Sequence, residues 1–326
     1  MRQITRGFKL GLYGVLVLLI ALCMVTSLIS AVPTVAKNAQ VQLSGDSGGL
    51  AQLPAGLHVD GVTLRDVSGG RFIAAGLNIE TYRDYDNGCG YVTDGLYAIR
   101  ATMADRIKAL GVNIVRLNYA NRFLTTANLG RFIEIAVEFA SRGIYVMPSD
   151  HTYTGQLLSN SSAAYPTMKK IIDAMPAQYR DYLVMNPFNE PGPDVARGDW
   201  INAQKNVLTY LRNTAKFDGV VVLDGSGWST MLDVSAFQQV QGIDAGLRAD
   251  GKPNVVFSNH LYPNIKDLPP KIWDAANKVP LLIGELGQIN PDVSPLDPQY
   301  VKNIISTELN AGFANGHNGL FAWIWA

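Results

Sequence analysis

The chain has 326 residues, 48% of them hydrophobic and 17% charged, and its acidic and basic side chains balance to a formal net charge of zero. That composition suits a globular protein with one large core, and the lack of a basic excess argues against nucleic acid as a partner. Of the two cysteines, Cys23 lies in an apolar N-terminal stretch and Cys89 stands alone in the body, so no disulfide is expected within the body.

Arg2, Arg6 and Lys9 precede an uncharged, apolar-to-small stretch from Leu10 to Val32. Residues 1–32 therefore read as a signal peptide or a membrane anchor. Val15 to Val25 fits a signal-peptide core, and the whole stretch is about the ~20 residues that span a bilayer. Either way the body is expected outside the cytoplasm, secreted or anchored through residues 10–32. Residues 33–56 are mostly small or polar, with Ser-Gly-Asp-Ser-Gly-Gly at 44–49, and read as a flexible linker. The folded domain is expected over 57–326.

That domain opens with a hairpin: Leu57 to Val59, an Asp60-Gly61 turn, then Val62 to Leu64. From there strands and helices alternate. Strands are predicted at Phe72–Asn78, Val112–Leu117, Ile144–Met147, Tyr182–Met185, Val220–Leu223, Val255–Asn259, Val279–Glu285 and Leu320–Trp325. Helices are predicted at Leu96–Leu110, stopped by Gly111, and at Asn128–Arg142, closed by Gly143. Further helices fall at 165–180, Trp200–Arg212, Ile272–Lys278 and Tyr300–Phe313, with only part of 230–250 helical. The strands are near-continuously apolar, as strands of a parallel sheet covered on both faces are. Eight of them over roughly the ~250 residues such a fold uses make an α/β protein of the (β/α)8 TIM-barrel type. A dinucleotide-binding doubly wound sheet would carry Gly-x-Gly-x-x-Gly after the first strand, and none follows Phe72–Asn78. No eighth helix follows the last strand in the sequence, which leaves the 41–70 segment or further chain to cover that place.

In such a barrel the C-terminal strand ends converge on one mouth. They carry Arg116, His151, Asn189, Glu190, Trp228, His260, Tyr262, Glu285 and Trp323. Each alone has a bland reading: a strand-end Arg pairs with a helix, a His is a bonded structural group, an indole fills a core. Two carboxylates delivered to strand tips, Glu190 before Pro191 and Glu285 between Gly284 and Leu286, suit glycoside hydrolysis. One must be protonated to serve the departing oxygen and the other ionised to attack the anomeric carbon. Arg116 near one of them would lower its pKa, Tyr262 could donate to the same carboxylate, and Asn189 could bond a sugar hydroxyl. Trp323 and Trp228 offer flat faces to a pyranose. No His-x-x-x-His or His-x-His pair occurs, so neither a metal nor a cofactor is expected. Asp224 and Trp228 stand where a Gly-x-Ser-x-Gly nucleophile elbow around Ser226 would have its two glycines, which disfavours a serine hydrolase. Tyr82, Asp84, Tyr85 and Asp86 are polar and aromatic enough to line a cleft.

Five motifs in order carry a resemblance: Gly111-Val-Asn-Ile-Val-Arg116-Leu, Asn189-Glu190-Pro191, His260-Leu-Tyr262, Ile283-Gly284-Glu285-Leu286-Gly287 and Gly319-Leu-Phe-Ala-Trp323. From about Leu57 to Ala326 the chain resembles glycoside hydrolase family 5, the cellulase and mannanase family of retaining (β/α)8 enzymes. The resemblance implies Glu190 as acid/base, Glu285 as nucleophile, Arg116 as the active-site arginine and Trp323 as the platform of the glycone subsite. Where the family has Asp-x-His on strand three, Asp150 and His151 are adjacent here. The implied protein is a monomeric β-glycosidase, cellulase-like or a β-mannanase, whose partner is a β-linked glycan. A catalytically silent glycan-binding barrel is the competing class, and it would have lost a glutamate or Arg116.

Overall fold

The computed structural model describes residues 56–81, 94–159, 162–263, 268–287, 298–308 and 316–325. They belong to one compact unit that begins at Leu53. The export-type segment, the linker to residue 55, Cys89 and the Tyr82–Asp86 cluster lie outside the described residues. Among the described residues no helix is long and apolar enough to cross a membrane.

Strands β1 (His58–Asp60) and β2 (Thr63–Arg65) pair antiparallel, His58 facing Arg65. The turn is Gly61-Val62, one residue later than the Asp60-Gly61 expected, because Asp60 still pairs with Thr63. The main sheet contains β3 (Ala74–Glu80), β4 (Ile114–Tyr119), β5 (Tyr145–Asp150), β6 (Val221–Asp224), β7 (Val255–Leu261), β8 (Leu281–Leu286) and β9 (Gly319–Trp325). All seven are parallel, in the order β5-β4-β3-β9-β8-β7-β6. The expected fourth strand, Tyr182–Met185, is reduced to isolated parallel bridges over 183–186: Leu183 and Asn186 to β5, Met185 to Val221 of β6. They thereby join the two outer strands of the curled sheet.

Helices alternate with the strands: α1 (Asp94–Ala98), α2 (Arg100–Ala109), α3 (Thr126–Ala140), α4 (Ala164–Ala174), α5 (Arg197–Thr209), α6 (Val234–Leu247), α7 (Leu268–Ala276) and α8 (Pro298–Thr307). The single helix expected over 96–110 is broken at Ile99. The one expected over 165–180 stops before Pro176 and resumes as a 3-10 turn. A proline there has no amide hydrogen to donate to the preceding turn. The weakly patterned 230–250 region is helical from Val234, where the Asp233 carboxylate caps the first turn by accepting from Ala236 N at 2.9 Å.

Side chains of successive strand residues point to opposite faces, and the two faces have different partners. Val115, Leu117, Val146, Leu223, Phe257 and Ile283 pack outward with helix residues such as Ile107, Phe132, Phe139, Trp200 and Phe237. Ile114, Met147, Val222, Val256, Leu282 and Phe321 pack inward, with Leu57, Val59 and Leu64 of the hairpin region among them. The hairpin is thus a stopper at the N-terminal ends of the strands. Two buried asparagines fasten it: Asn254 Oδ1 accepts from Val59 N at 2.9 Å, and Asn318 Oδ1 from Leu64 N at 2.8 Å. Further along the same inward face the apolar residues give way to polar ones, at the opposite mouth.

Candidate active site

Arg116 lies on β4 and is almost wholly buried. A guanidinium taken out of water costs several kcal/mol unless its donors are met, and here they are. Nη1 donates to Glu285 Oε1 at 2.6 Å and to Asn78 Oδ1 at 3.1 Å; Nη2 donates to Asn189 Oδ1 at 2.7 Å and Asn186 Oδ1 at 2.9 Å; Nε donates to Asn186 Oδ1 at 3.2 Å. Four strand ends are therefore tied to one cation.

Glu285 reaches the inward face by a register shift. Asn259 pairs with Ile283, but His260 pairs with Glu285, so β8 carries one extra residue, Gly284. Strict alternation from inward Leu282 would send Glu285 outward; the bulge turns it in. A side chain at Gly284 would not fit, since a Cβ there falls 2.2 Å from Ser258 Oγ. Tyr262 Oη donates to Glu285 Oε2 at 2.6 Å. Arg116 and Tyr262 both hold Glu285, as their strand-end placement predicts. The electrostatic outcome differs from that expectation. Burial raises the Glu285 carboxyl above its ordinary value and the Glu190 charge adds to this, while His260, Arg116 and Tyr262 oppose it. Burial, with the charge of Glu285, also raises the Tyr262 phenol, so it stays a donor.

Glu190 is placed differently. It follows the interrupted stretch 183–186 and has a left-handed backbone, φ 45°, a conformation costing on the order of 1–3 kcal/mol for a residue with a side chain. Its N–H donates to Asp224 Oδ2 at 3.1 Å, and its carbonyl accepts from Gly155 N at 2.7 Å. The next two carbonyls, of Pro191 and Gly192, accept from Trp228 N at 2.8 Å and Gly227 N at 3.0 Å. The side chain remains 17% exposed, with Oε1 2.7 Å from His260 Nδ1. The sequence reading gave Glu190 no cationic partner, and the structure gives it His260. Burial alone would lower the basicity of this imidazole, but the charges of Glu285, Asp224 and Glu190 more than offset it, and His260 is held above its ordinary value.

The remaining predicted residues divide. His151 is stacked on Trp323, ring centroids 6.2 Å apart at 17°; burial, with Arg116 and His260 nearby, lowers its pKa and keeps it neutral. Trp323 is half-buried, whereas Trp228 is 45% exposed. Trp228 belongs to a run of left-handed residues, Gly227 to Ser229, and its ring lies against the Gly155 turn. Asn189 is engaged by Arg116 and by Thr154 Oγ1 at 3.2 Å, so its amide helps build the site frame. Sequence reasoning missed Asn78, Asn186, Asp150 and Asp224. Asp150, at the end of β5, is raised to about 6 by burial, against hydrogen bonds from Thr152 and Asn121. Asp224 ends β6 as Glu285 nears the end of β8, and that strand-end position was the available signal.

One donor atom each from Glu190, His260 and Glu285 lie within 4.8 Å of one another. These side chains are already engaged: Glu190 with His260, and Glu285 with Arg116 and Tyr262. A cation there would compete with Arg116 for the same carboxylate. The arrangement offers two facing carboxyl groups, one clamped by a cation and a phenol and one open to solvent beside an imidazole. That pair is suited to attack and proton transfer at one centre.

The family model described as cellulase (glycosyl hydrolase family 5) matches residues 81–319. The mannan endo-1,4-beta-mannosidase of Streptomyces lividans is 25% identical over 295 residues, covering 87% of this chain and 70% of that protein. The beta-mannanase/endoglucanase A of Caldicellulosiruptor saccharolyticus is 24% identical over 240 residues, 67% of this chain and 16% of that much longer protein. The chain therefore spans only a small part of one of these relatives. Among solved structures, the catalytic domain of a mannanase from Streptomyces sp. SirexAA-E shares the fold, with a TM-score of 0.58 at 21% identity over 89% of this chain and 86% of that one.

Proposed function

The chain belongs to glycosyl hydrolase family 5 and is a glycoside hydrolase; from that premise we propose an exported, retaining endo-β-glycosidase that cleaves β-1,4-linked mannan, with β-glucan as the second reading. Two relatives named as mannosidases support mannan, as does the relative named for both activities. The curled sheet, completed by residues 183–186, is read as the eight-stranded barrel. Residues 1–32 are read as its export signal or anchor and 33–56 as its linker.

The observation that carries the mechanism is the spacing of the carboxyl groups. At their nearest an oxygen of Glu190 and one of Glu285 lie within 4.8 Å, and both carboxylates approach the same His260 Nδ1, at 2.7 and 3.5 Å, a closeness that favours the shorter of the two spacings such sites use. Retaining sites hold their carboxyls ~5–5.5 Å apart, whereas inverting sites leave ~6.5–9.5 Å for a water. In this reading Glu285, oriented by Arg116 and Tyr262, attacks the anomeric carbon and forms a glycosyl ester. Glu190 gives its proton to the departing sugar oxygen. It then takes a proton from the water that hydrolyses the ester, and His260 at 2.7 Å keeps the carboxyl in place for both steps. Trp323, steadied by His151, is the floor under the sugar being cleaved, and Trp228 lies on the leaving-group side beside Pro191.

Mannan, β-glucan, xylan and aryl β-glycosides assayed in parallel identify the sugar. Proton NMR of the first product formed decides the stereochemistry: a β-anomer is expected from a β-linked substrate, and an initial α-anomer would overturn the mechanism together with the role of Glu285. N-terminal sequencing of the protein recovered from culture medium and from membranes tests the export reading.

A further inference from the structure

Asp224 has a carboxylate, wholly buried, surrounded by donors. Oδ1 accepts from Asn186 Nδ2 at 3.2 Å. Oδ2 accepts from the Glu190 backbone N–H at 3.1 Å and lies 3.5 Å from Arg116 Nη2 and 3.6 Å from His260 Nε2. Its own main chain is fixed, since its carbonyl accepts from the indole Nε1 of buried Trp200 at 3.1 Å. An amide in this place would turn an NH2 toward one of these donors, so the site calls for a group whose two oxygens both accept.

We propose that Asp224 is a positioning residue for proton transfer: it anchors the left-handed backbone of Glu190 and so aims the acid/base carboxyl at the departing oxygen. The proposal rests on the reading of Glu190 as acid/base. Glu190 stands outside any regular strand, and its peptide is clamped from two sides, by Asp224 at its N–H and by Gly155 at its carbonyl. With the Asp224 clamp gone the peptide can relax toward an ordinary backbone conformation, which swings the carboxyl away from His260. The same carboxylate lies 3.6 Å from His260 Nε2 while Glu190 and Glu285 lie 2.7 and 3.5 Å from Nδ1, so three carboxylates face the imidazole, with Arg116, Tyr262 and neutral His151 completing the charged and titratable surroundings.

The test compares Asp224→Asn with wild type on aryl β-glycosides of the sugar that the enzyme cleaves, one with a nitrophenol and one with an unactivated phenol as leaving group. Mispositioned acid catalysis slows the poor leaving group about 100-fold while the pre-steady-state burst from the good one changes little, because only the former needs the proton. The alkaline limb of the kcat/KM profile is also expected to move. Equal losses on both substrates with an unmoved pH profile would mean a merely structural aspartate and overturn the proposal. Should Asp224→Asn not fold, Asp224→Ser, which leaves room for a water to accept the Glu190 N–H, carries the same comparison. Glu190→Ala is measured alongside: if it lacks leaving-group dependence, the acid/base reading itself fails, and that outcome is distinct from a failure confined to Asp224.

Discussion

The two glutamates stand at the ends of similar apolar segments, yet the contacts that set each one apart fall on different parts of the residue. Glu285 sits within strand β8, just past its bulge and paired to β7, and its side chain is fastened at both oxygens, by Arg116 and by Tyr262. Glu190 lies beyond the interrupted 183–186 stretch, and its main chain is fastened at both polar groups, by Asp224 and by Gly155. Fixing a side chain suits a nucleophile, whose oxygen has one trajectory to keep. Fixing a backbone while leaving the carboxyl 17% exposed suits a group that must lose and regain a proton and admit water.

This contrast can be broken from either side. The largest effect is expected from Glu285→Gln, which keeps the shape and removes the nucleophile; turnover should fall on the order of 10^4-fold or more on every substrate, whatever the leaving group. Measurable turnover on an activated aryl glycoside at near wild-type rate would remove Glu285 from the chemistry. Glu190→Ala should lose ~10^2–10^4-fold on polysaccharide but still form the glycosyl-enzyme from an activated glycoside, detectable as a mass increase on the intact protein. Trp323→Ala should lower kcat/KM roughly tenfold, the scale of a lost aromatic contact, with little change in Tm because the ring is half-exposed. A large fall in Tm with intact kinetics would instead make Trp323 a core residue.

The smallest effect separates the imidazole between the two glutamates from an ordinary one. His260 is held above its usual value, so the folded protein keeps a proton that the unfolded chain releases near pH ~6.5. That stabilisation is complete below about pH 6.5 and is lost as pH rises through the higher folded value. The Tm gap between wild type and His260→Asn should therefore be widest in mildly acid buffer and narrow on going alkaline. A gap that widens with rising pH contradicts the assignment.

Most strands were legible because both of their faces are buried, so their apolar runs are continuous. Their ends were not. The ladder runs on through Asn118 and Tyr119, through Ser149 and Asp150, and through His260, where polar side chains face the mouth and the apolar signal stops early. The fourth strand was read from its apolar run, but Asn186 spends its side chain on Arg116, Val222 and Asp224 and the ladder there reduces to bridges. In the site, Glu190, Glu285, Arg116 and Tyr262 could be placed because strand-end position and chemistry coincide. Asn78 and Asn186 were invisible for a physical reason, and Asp224 showed only its strand-end position: their task is to satisfy Arg116 and the Glu190 peptide, and such partnerships exist only across the sheet. The partner of His260 was hidden likewise, since 70 residues separate it from Glu190.

Strand β9 lies between β8 and β3, with Ala74 beside Gly319. On the ribosome, the earliest strand of the sheet must therefore wait for residues about 245 positions further on before its second edge is covered. Until then β3 and β8 both present open edges, a hazard for mispairing between nascent chains, and contacts so distant in sequence make for slow folding. The hairpin waits as well, because one of its fasteners is Asn318. The same strand carries Trp323. A chain stopped before residue 319 would thus lack both the closing strand and the tryptophan proposed as the sugar platform, so closure of the sheet and assembly of that side of the mouth arrive together.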